Sequence, residues 1–494
     1  MSKSRSNHSY TPLVSTPRFD SRLLLRALIA FNIVLAVYNI ITLQSTTTSS
    51  KSNPCLIVIN TSKQTATNHK NESDESVVNH NINPTDNKES KQIEGIIQDN
   101  SDSLLDKQSL SSNTIEEQLV DSNVDKEVAI WWSTETRGSY TVLKNYIPSS
   151  ETPDRMRNVT LTTQGTYSFL YHLENLCIRW DGFISVGVYA PGLDFPLAVN
   201  LIYYLRKCGH QCVSAKTTWH MVYDSLHSPH SNTSLPSSYV EDMNFDCLQS
   251  FDNIVSKFNT TFRSDHSLPY PINVVRNVAR LNSQTKYIFA SDIELYPSVD
   301  IVSGFMRLHD RISSGLVPNI NLTHPLVYVI PIFEVKANIE PPMNKSQLKT
   351  LIKSGNAIFF HKWVCDACQN FPDRDKWIDV ISENNSLNIF RVTRRTRTRN
   401  YWEPLYIGTN DEPLYDERLT WDGKRDKMSQ MYEMCLRGYD LGILDNAFLV
   451  HAPGIKHIDP KEEKKRLPFI KRNNMIYNTI LAKLRRKYGT KNQC

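Results

Sequence analysis

The chain has 494 residues, with 56 Lys and Arg against 51 Asp and Glu, a formal net charge of +5, 40% hydrophobic and 22% charged residues, and nine cysteines. That much apolar material excludes wholesale disorder, nine cysteines are too few for a disulfide-built scaffold of this length, and the near balance of charge argues against a dedicated nucleic-acid binder. Length alone suggests two or three domains, but charge and hydropathy lie in blocks that divide the chain differently.

Residues 1–22 carry Lys3, Arg5, Arg18 and Arg22 against Asp20. An apolar run follows from Ala27 to Leu43, broken only by Asn32, Asn39 and Thr42. Arg22 and Arg26 snorkel, so residues 23–43 are long enough for a membrane-spanning helix. The basic excess lies on the N-terminal side, which makes 1–22 a cytoplasmic tail and 23–43 a type II signal anchor. The rival is a cleaved signal peptide, whose apolar stretch is normally shorter and ends at small residues. This run instead ends in Thr42-Leu43-Gln44.

Residues 44–127 hold 14 acidic and 7 basic residues and no Phe, Trp or Tyr. They cannot bury enough surface to offset chain entropy, so they read as a flexible, disordered lumenal stem. Cys55 within it suits an intermolecular disulfide or a free thiol. Eight Asn-x-Ser/Thr sites fall on the predicted lumenal side: Asn60, Asn71, Asn158, Asn232, Asn259, Asn321, Asn344 and Asn384. Together they fit a glycosylated secretory protein.

From Val128 to the end, apolar runs alternate with helical patterns. Strands are expected at Phe183–Tyr189, Thr218–Tyr223, Tyr287–Ala290 and Leu326–Val335, and helices at Pro196–Cys208 and Val274–Leu281. This alternation predicts an α/β domain with parallel core strands over residues 128–494.

The most informative stretch is Lys286–Ser298, where a hydrophobic strand runs into Asp292-Ile293-Glu294. Ligands of open α/β sheets bind beyond the carboxyl ends of the strands. Period-two alternation puts both carboxylates on one side and Ile293 in the core. Two carboxylates there repel unless they share a cation, and oxygen ligands suit Mn²⁺ or Mg²⁺ bound with substrate phosphates. An acidic triplet alone reads equally as a solvated loop; the strand before it, Pro297 after it and the secretory topology favour the site. His451 follows the apolar run Asn446–Val450 and precedes Ala452-Pro453-Gly454.

These blocks, with Asn158–Thr163, Trp180–Cys208, Tyr270–Arg280, Pro331–Val335, Cys365-Asp-Ala-Cys368, Trp402–Tyr406, Tyr415–Arg418 and Phe448–His451, resemble the glycosyltransferase family of the β-1,4-glucuronyltransferases and the C-terminal LARGE domain. The resemblance implies a GT-A-type nucleotide-sugar transferase fold with a mixed central sheet, a UDP-sugar donor, a divalent metal and inversion. It places Asp292 and Glu294 on the family's metal-binding Asp-x-Asp, and His451 on the histidine that completes the site. Glu294 departs from the second Asp by one methylene. Asn273, Arg276 and Asn277 share one helix and fall on the donor pocket, with a capping network as the alternative. Thr160, Thr162 and Lys456 are further donor candidates. Asp416 is the candidate general base, Glu417 its rival, and an Asp416–Arg418 ion pair the structural alternative.

Cys365 and Cys368 suit a structural disulfide in an oxidising lumen, with their partners left open among Cys177, Cys208, Cys212, Cys247 and Cys435. The run Arg391, Arg394, Arg395, Arg397, Arg399 is a candidate acceptor contact. In the basic tail, Ile476, Ile480 and Leu484 trace an amphipathic stripe.

The reading that results is a single-pass type II Golgi membrane glycosyltransferase with a lumenal catalytic domain. By resemblance it moves glucuronic acid first, with β-1,3-N-acetylglucosaminyl transfer or an inactive glycan- or partner-binding relative as alternatives. Its implied partners are the UDP-sugar, a glycan acceptor on a glycoprotein, the membrane, and a second copy or another glycosyltransferase.

Overall fold

Strand β1 (Ser133–Arg137) returns as β2 (Tyr140–Ile147) through a two-residue turn. Gly138 opens that turn at φ +62°, a conformation that glycine enters without steric cost. The computed structural model describes residues 132–229, 245–255, 260–318, 320, 322–380 and 386–494. The predicted tail, anchor and stem, Cys55, and Asn60, Asn71, Asn232, Asn259, Asn321 and Asn384 lie outside the described residues. Among the described residues no helix is long and apolar enough to cross a membrane.

The next strands are β3 (Val159–Gly165), β4 (Phe183–Tyr189), β5 (Thr217–Asp224), β6 (Tyr287–Ala290) and β7 (Leu295–Pro297). They are followed by β8 (Leu326–Ile330), β9 (Ile332–Val335), β10 (Ala357–Phe359), β11 (Asn388–Thr393), β12 (Leu405–Gly408), β13 (Asp440–Asp445) and β14 (Leu449–His451). A ten-stranded mixed sheet has the order β1-β2-β5-β4-β3-β6-β12-β8-β13-β11, and a four-stranded sheet the order β10-β9-β14-β7. Strands β5, β4, β3 and β6 run parallel. Every residue of β3 and β4 is buried, as expected of parallel strands covered on both faces. This large mixed sheet is consistent with a GT-A-like domain.

The expected strand Leu326–Val335 divides at Pro331, which has no N–H to give a ladder. Its halves belong to different sheets: β8 pairs with β12 and β13, and β9 with β10 and β14. The chain makes the same crossing from β6 to β7 and from β13 to β14. Asn446, at φ +62°, turns the last of these, so the expected strand Asn446–Val450 begins only at Leu449 and includes His451. The helix expected from Pro196 starts earlier, at Asp194; Pro196 sits in its first turn, where the missing N–H costs nothing.

Helix Ile272–Leu281 is buried from Ile272 to Arg280. It lies so close to β4 that a Cβ on Gly187 would stand 2.6 Å from the Val275 carbonyl oxygen. Four disulfides join Cys177 to Cys212, Cys208 to Cys247, Cys365 to Cys368 and Cys435 to Cys494. The tail forms helix Pro460–Tyr488, where Ile480 and Leu484 pack with Leu419, Tyr432 and Leu436. Asn158 and Asn344 are described; the Asn344 side chain caps helix Lys345–Lys353 by accepting from Gln347 N–H.

Gly187→Ala is expected to push this helix off the sheet and cost roughly 2 kcal/mol. A lowered thermal midpoint with unchanged secondary structure in the far-ultraviolet checks it.

Candidate active site

The parallel run fixes where a ligand binds. The chain moves outward from β3 through β4 to β5, then returns to the other side of β3 as β6. Strand order reverses between β3 and β6, and the crevice at their carboxyl ends is the expected binding place. Gln164 near the end of β3 and Asp292 just past β6 meet there, Gln164 Nε2 donating to Asp292 Oδ1 at 2.9 Å. Ser291 N–H donates to the Thr162 carbonyl and ties the two strand ends together.

Asp292 is surrounded by fixed positive charge. Arg276, 1% exposed, donates from Nη2 to Asp292 Oδ1 at 2.9 Å and from Nη1 to Asp426 Oδ2 at 3.0 Å. Lys427 Nζ lies 3.0 Å from Asp292 Oδ2 and 3.4 Å from Asp426 Oδ2. Burial alone pushes the Asp292 carboxyl upward, but Lys427 and Arg276 outweigh it and hold it far below the usual carboxylate range. The guanidinium of Arg276 also stacks over the Tyr415 ring, 4.8 Å from its centroid.

Glu294 belongs to a second group. Its Oε1 lies 3.0 Å from His451 Nε2 and accepts from Lys456 Nζ at 2.9 Å. Burial raises its carboxyl, but His451 and Lys456 bring it down to about 2. His451 Nδ1 is 2.7 Å from the Ala452 carbonyl, which only accepts, so Nδ1 carries the proton and Nε2 is left for another partner. That Nε2 is buried and makes no hydrogen bond of good geometry. A proton or a cation must sit between Nε2 and Oε1. Ligands about 2.1 Å from a metal and at right angles are about 3 Å apart, so this pair fits one hard divalent cation. Lys456, 40% exposed, stands beside it.

The sequence reading joins Asp292, Glu294 and His451 in one metal site. The structure brings Glu294 and His451 together, while both oxygens of Asp292 are engaged by Gln164, Arg276 and Lys427. Among the described residues no cluster of three or more His, Cys, Asp or Glu is arranged to hold a metal. Of the protein's own cations, Arg276 and Lys427 face Asp292 and Lys456 faces Glu294. Ile293 is buried as expected, in a turn between two strands rather than within one.

Most of the other candidates serve the scaffold. Asn273 donates to the carbonyls of Asp416 and Asp426, and Asn277 exchanges hydrogen bonds with the Tyr415 backbone. Both are buried and their amides are engaged by that backbone, so this helix face holds the segment 409–427. Thr160 pairs with Thr285, and Thr162 is enclosed. Asp416 is clasped by Arg418 through both carboxylate oxygens. Glu417 Oε1 is held by Arg137 and Asn277. The two acids line a separate cavity of about 620 Å³ with Arg137, Arg418 and Lys487. Neither is placed to take a proton near Asp292. In the arginine run, Arg391 pairs with Asp373, Arg394 with Asp440, and Arg395 is buried.

Sequence reasoning missed Gln164, Asp426, Lys427, His361 and Glu403. His361 is acted on by charges of both groups, its imidazole pushed down to about 4 by burial and by Lys456, Lys427 and His451. Glu403 stands between buried Trp402 and Pro404, ahead of β12. Its N–H donates to the Cys368 carbonyl and its own carbonyl accepts from Gln369. Burial raises its carboxyl to about 7; Lys427 and Arg276 oppose that shift, while Asp426 and Asp292 add to it. A Lys following an acid before a helix at 426–427 was the one signal available; Glu403 and His361 carry none.

A family model described as glycosyl-transferase for dystroglycan matches residues 158–489. The chain belongs to this glycosyltransferase family. The glycosyltransferase is 28% identical to β-1,4-glucuronyltransferase 1 of Danio rerio over 366 residues, covering 72% of this chain and 81% of the relative. The human protein of that name is 24% identical over 360 residues, with the same coverage. A xylosyl- and glucuronyltransferase LARGE2s of Gallus gallus is 24% identical over 304 residues, 61% of this chain and 33% of the relative. The matched region of the glycosyltransferase contains both charge groups, and the family implies a nucleotide-sugar donor and a glycan acceptor.

Lys427→Met leaves Asp292, Asp426 and Glu403 facing Arg276 alone and is expected to cost about 3 kcal/mol. Without Lys427 the Glu403 and Asp426 carboxyls move up. A folded pKa above the unfolded one means protons are taken up on folding, so the loss is greatest near about pH 8 and shrinks toward about pH 5. Denaturant unfolding of both proteins across this range checks the sign.

Proposed function

We propose that this glycosyltransferase is an inverting, divalent-metal-dependent enzyme that moves a sugar, glucuronic acid first, from its UDP-sugar to a glycan acceptor. The observation that carries the reading is the Glu294–His451 pair beside Lys456, next to Asp292 at the strand-order reversal. Glu294 and His451 would hold a cation such as Mn²⁺ or Mg²⁺, which would supply Lewis-acid neutralisation of the diphosphate. Lys456 donates to the same diphosphate from the solvent side. Asp292 has about four acceptor positions, three of them taken, and its carboxylate is 29% exposed; the fourth receives a donor hydroxyl. Gln164, Arg276 and Lys427 hold that acceptor in place, so it needs no reorganisation during transfer.

Glucuronic acid as the first donor comes from the names of the relatives. Lumenal placement is supported by the four disulfides, which persist in oxidising compartments, and by the basic N-terminal flank of residues 23–43. On this reading the protein is a type II Golgi membrane enzyme acting on glycoprotein glycans.

The test is UDP release by the purified protein against a panel of UDP-sugars with Mn²⁺. One donor, UDP-glucuronic acid, is expected to turn over, and chelator to abolish it. His451→Ala and Asp292→Asn are each expected to lower kcat by about 10²-fold or more. Full activity in chelator rejects the metal, and no UDP from any donor rejects the transferase chemistry.

A further inference from the structure

Inversion at the anomeric carbon requires a base for the acceptor hydroxyl, and the sequence candidates for that role are bound elsewhere. Near the two charge groups and the segment 409–427 the described carboxylates divide sharply, and Glu294 is already engaged by His451 and Lys456. Asp426 is clamped by Arg276 and Lys427. Glu334 is fully buried and accepts from the His361 and Lys456 amides. Glu412 is buried and turned to the Thr409 amide. Glu403 differs from all three: it is half-buried, and among the described residues its carboxylate has neither an ion pair nor a hydrogen bond.

Its backbone is nonetheless fixed. Strand β12 pairs antiparallel with β6, Ile407 opposite Phe289 and Gly408 opposite Ile288. Glu403 lies two residues before the start of β12 and Asp292 two residues after the end of β6, at the same end of that pairing. Pro404 fixes the approach, and the Cys365–Cys368 turn takes both backbone hydrogen bonds of Glu403, through the Cys368 carbonyl and the Gln369 side chain. In the flanking segments, Ala367, Asn370, Thr398, Arg399 and half-exposed Tyr401 line a cleft of about 210 Å³ whose lining does not include Glu403 itself. The charged and titratable groups acting on Glu403 are Lys427, Asp426, Asp292 and Arg276, with Arg395 and Tyr477 beyond them.

The geometry points to Glu403 as the catalytic base, a role that rests on the transferase reading above. The acceptor hydroxyl gives its proton to a Glu403 carboxylate oxygen as its own oxygen bonds the anomeric carbon. The bond from that carbon to the diphosphate breaks, and its electron pair leaves with UDP. Glu403 then returns the proton to water.

The experiment compares wild type, Glu403→Gln, Glu403→Asp and Asp292→Asn for transfer, for UDP binding with Mn²⁺ and for the pH dependence of kcat/KM. Glu403→Gln is expected to lower kcat by about 10²–10⁴-fold with UDP affinity within about threefold of wild type. Wild-type kcat/KM is expected to fall as pH drops through neutrality, and Glu403→Asp to keep that limb at reduced kcat. In the residual activity of Glu403→Gln the limb is absent. Transfer within about threefold of wild type in Glu403→Gln, alongside its loss in Asp292→Asn, overturns the base assignment and leaves the transferase reading standing. So does an unchanged acid limb in Glu403→Gln. Should Glu403→Gln fail to show a cooperative melt, wild-type kcat in Glu403→Asp overturns the assignment instead. No UDP from wild type with any donor overturns both.

Discussion

A buried guanidinium cannot shed its charge, and Arg276 is 1% exposed. It must be paired, and its partners come from two distant parts of the chain, Asp292 after β6 and Asp426 ahead of helix Met428–Arg437. The strand end, helix Ile272–Leu281 and the segment 409–427 are therefore fixed relative to one another by one side chain. The rest of that helix face reinforces the arrangement. Asn273, Asn277 and Arg280 satisfy backbone carbonyls of a segment with little regular structure, which buried without partners would be costly. Lys427 adds a second cation. Two cations then face three carboxylates, Asp292, Asp426 and Glu403, and the imbalance falls on the one with no direct partner. Burial lifts the Glu403 carboxyl first and the neighbouring acids add to it, while Lys427 and Arg276 keep Asp292 and Asp426 ionised, an arrangement that separates a proton acceptor from a fixed anion.

The second structural condition is the seam between the sheets. Three successive passes leave the large sheet for the small one, at Ser291–Glu294, at Pro331 and at Asn446–Phe448. A strand that changes sheets ends its ladder and leaves the residues at the crossing free to face a ligand. Asp292 and Glu294 occupy the first crossing, and His451, paired in register with Leu295 and Glu334, closes the last strand beside it. The same geometry divides the two acids. Asp292 stays with the large sheet and the helix behind it, and Glu294 turns to the small sheet. One short motif therefore feeds two charge groups.

This division explains what the sequence made legible. A hydrophobic strand ending in alternating acids marks a strand end at a ligand crevice, and a histidine after an apolar run marks a neighbouring one, so Asp292, Glu294 and His451 stand out. The helix around Arg276 is equally visible, but periodicity shows that a polar stripe exists and not what it faces. Once the helix is buried all round, the stripe of Asn273 and Asn277 reaches protein backbone instead of donor. The Pro331 break is a local signal inside a run whose hydropathy reads as one strand. Asp416 reads as a base because it lies in a matching block, yet Arg418, two residues on, already holds it. Glu403 has no motif because its character arises from burial and from the charges on three other segments. The Cys365–Cys368 pairing is of the same kind: spacing permits it, and only the fold selects it over the alternatives.

Charge balance also bears on why fixed cations do not replace a metal in the proposed chemistry. Arg276 and Lys427 are spent on Asp292 and Asp426, so their charge is cancelled before a diphosphate arrives. Of the three cations in these groups, Lys456 is the one exposed enough to serve the leaving group, and Glu294 claims part of it. A cation between Glu294 and His451 would release Lys456 from Glu294 and add positive charge where UDP departs. The extra methylene of Glu294 suits this arrangement. Asp292 is held tightly by three donors near the sheet, whereas a longer side chain lets the second acid reach across the seam to His451 and Lys456 at 3.0 and 2.9 Å. An aspartate with the same backbone would fall short by about 1.5 Å, beyond direct hydrogen-bond reach of both. A glutamate rather than an aspartate at 294 is then a matter of distance across the seam, because the chemistry of the carboxylate is unchanged.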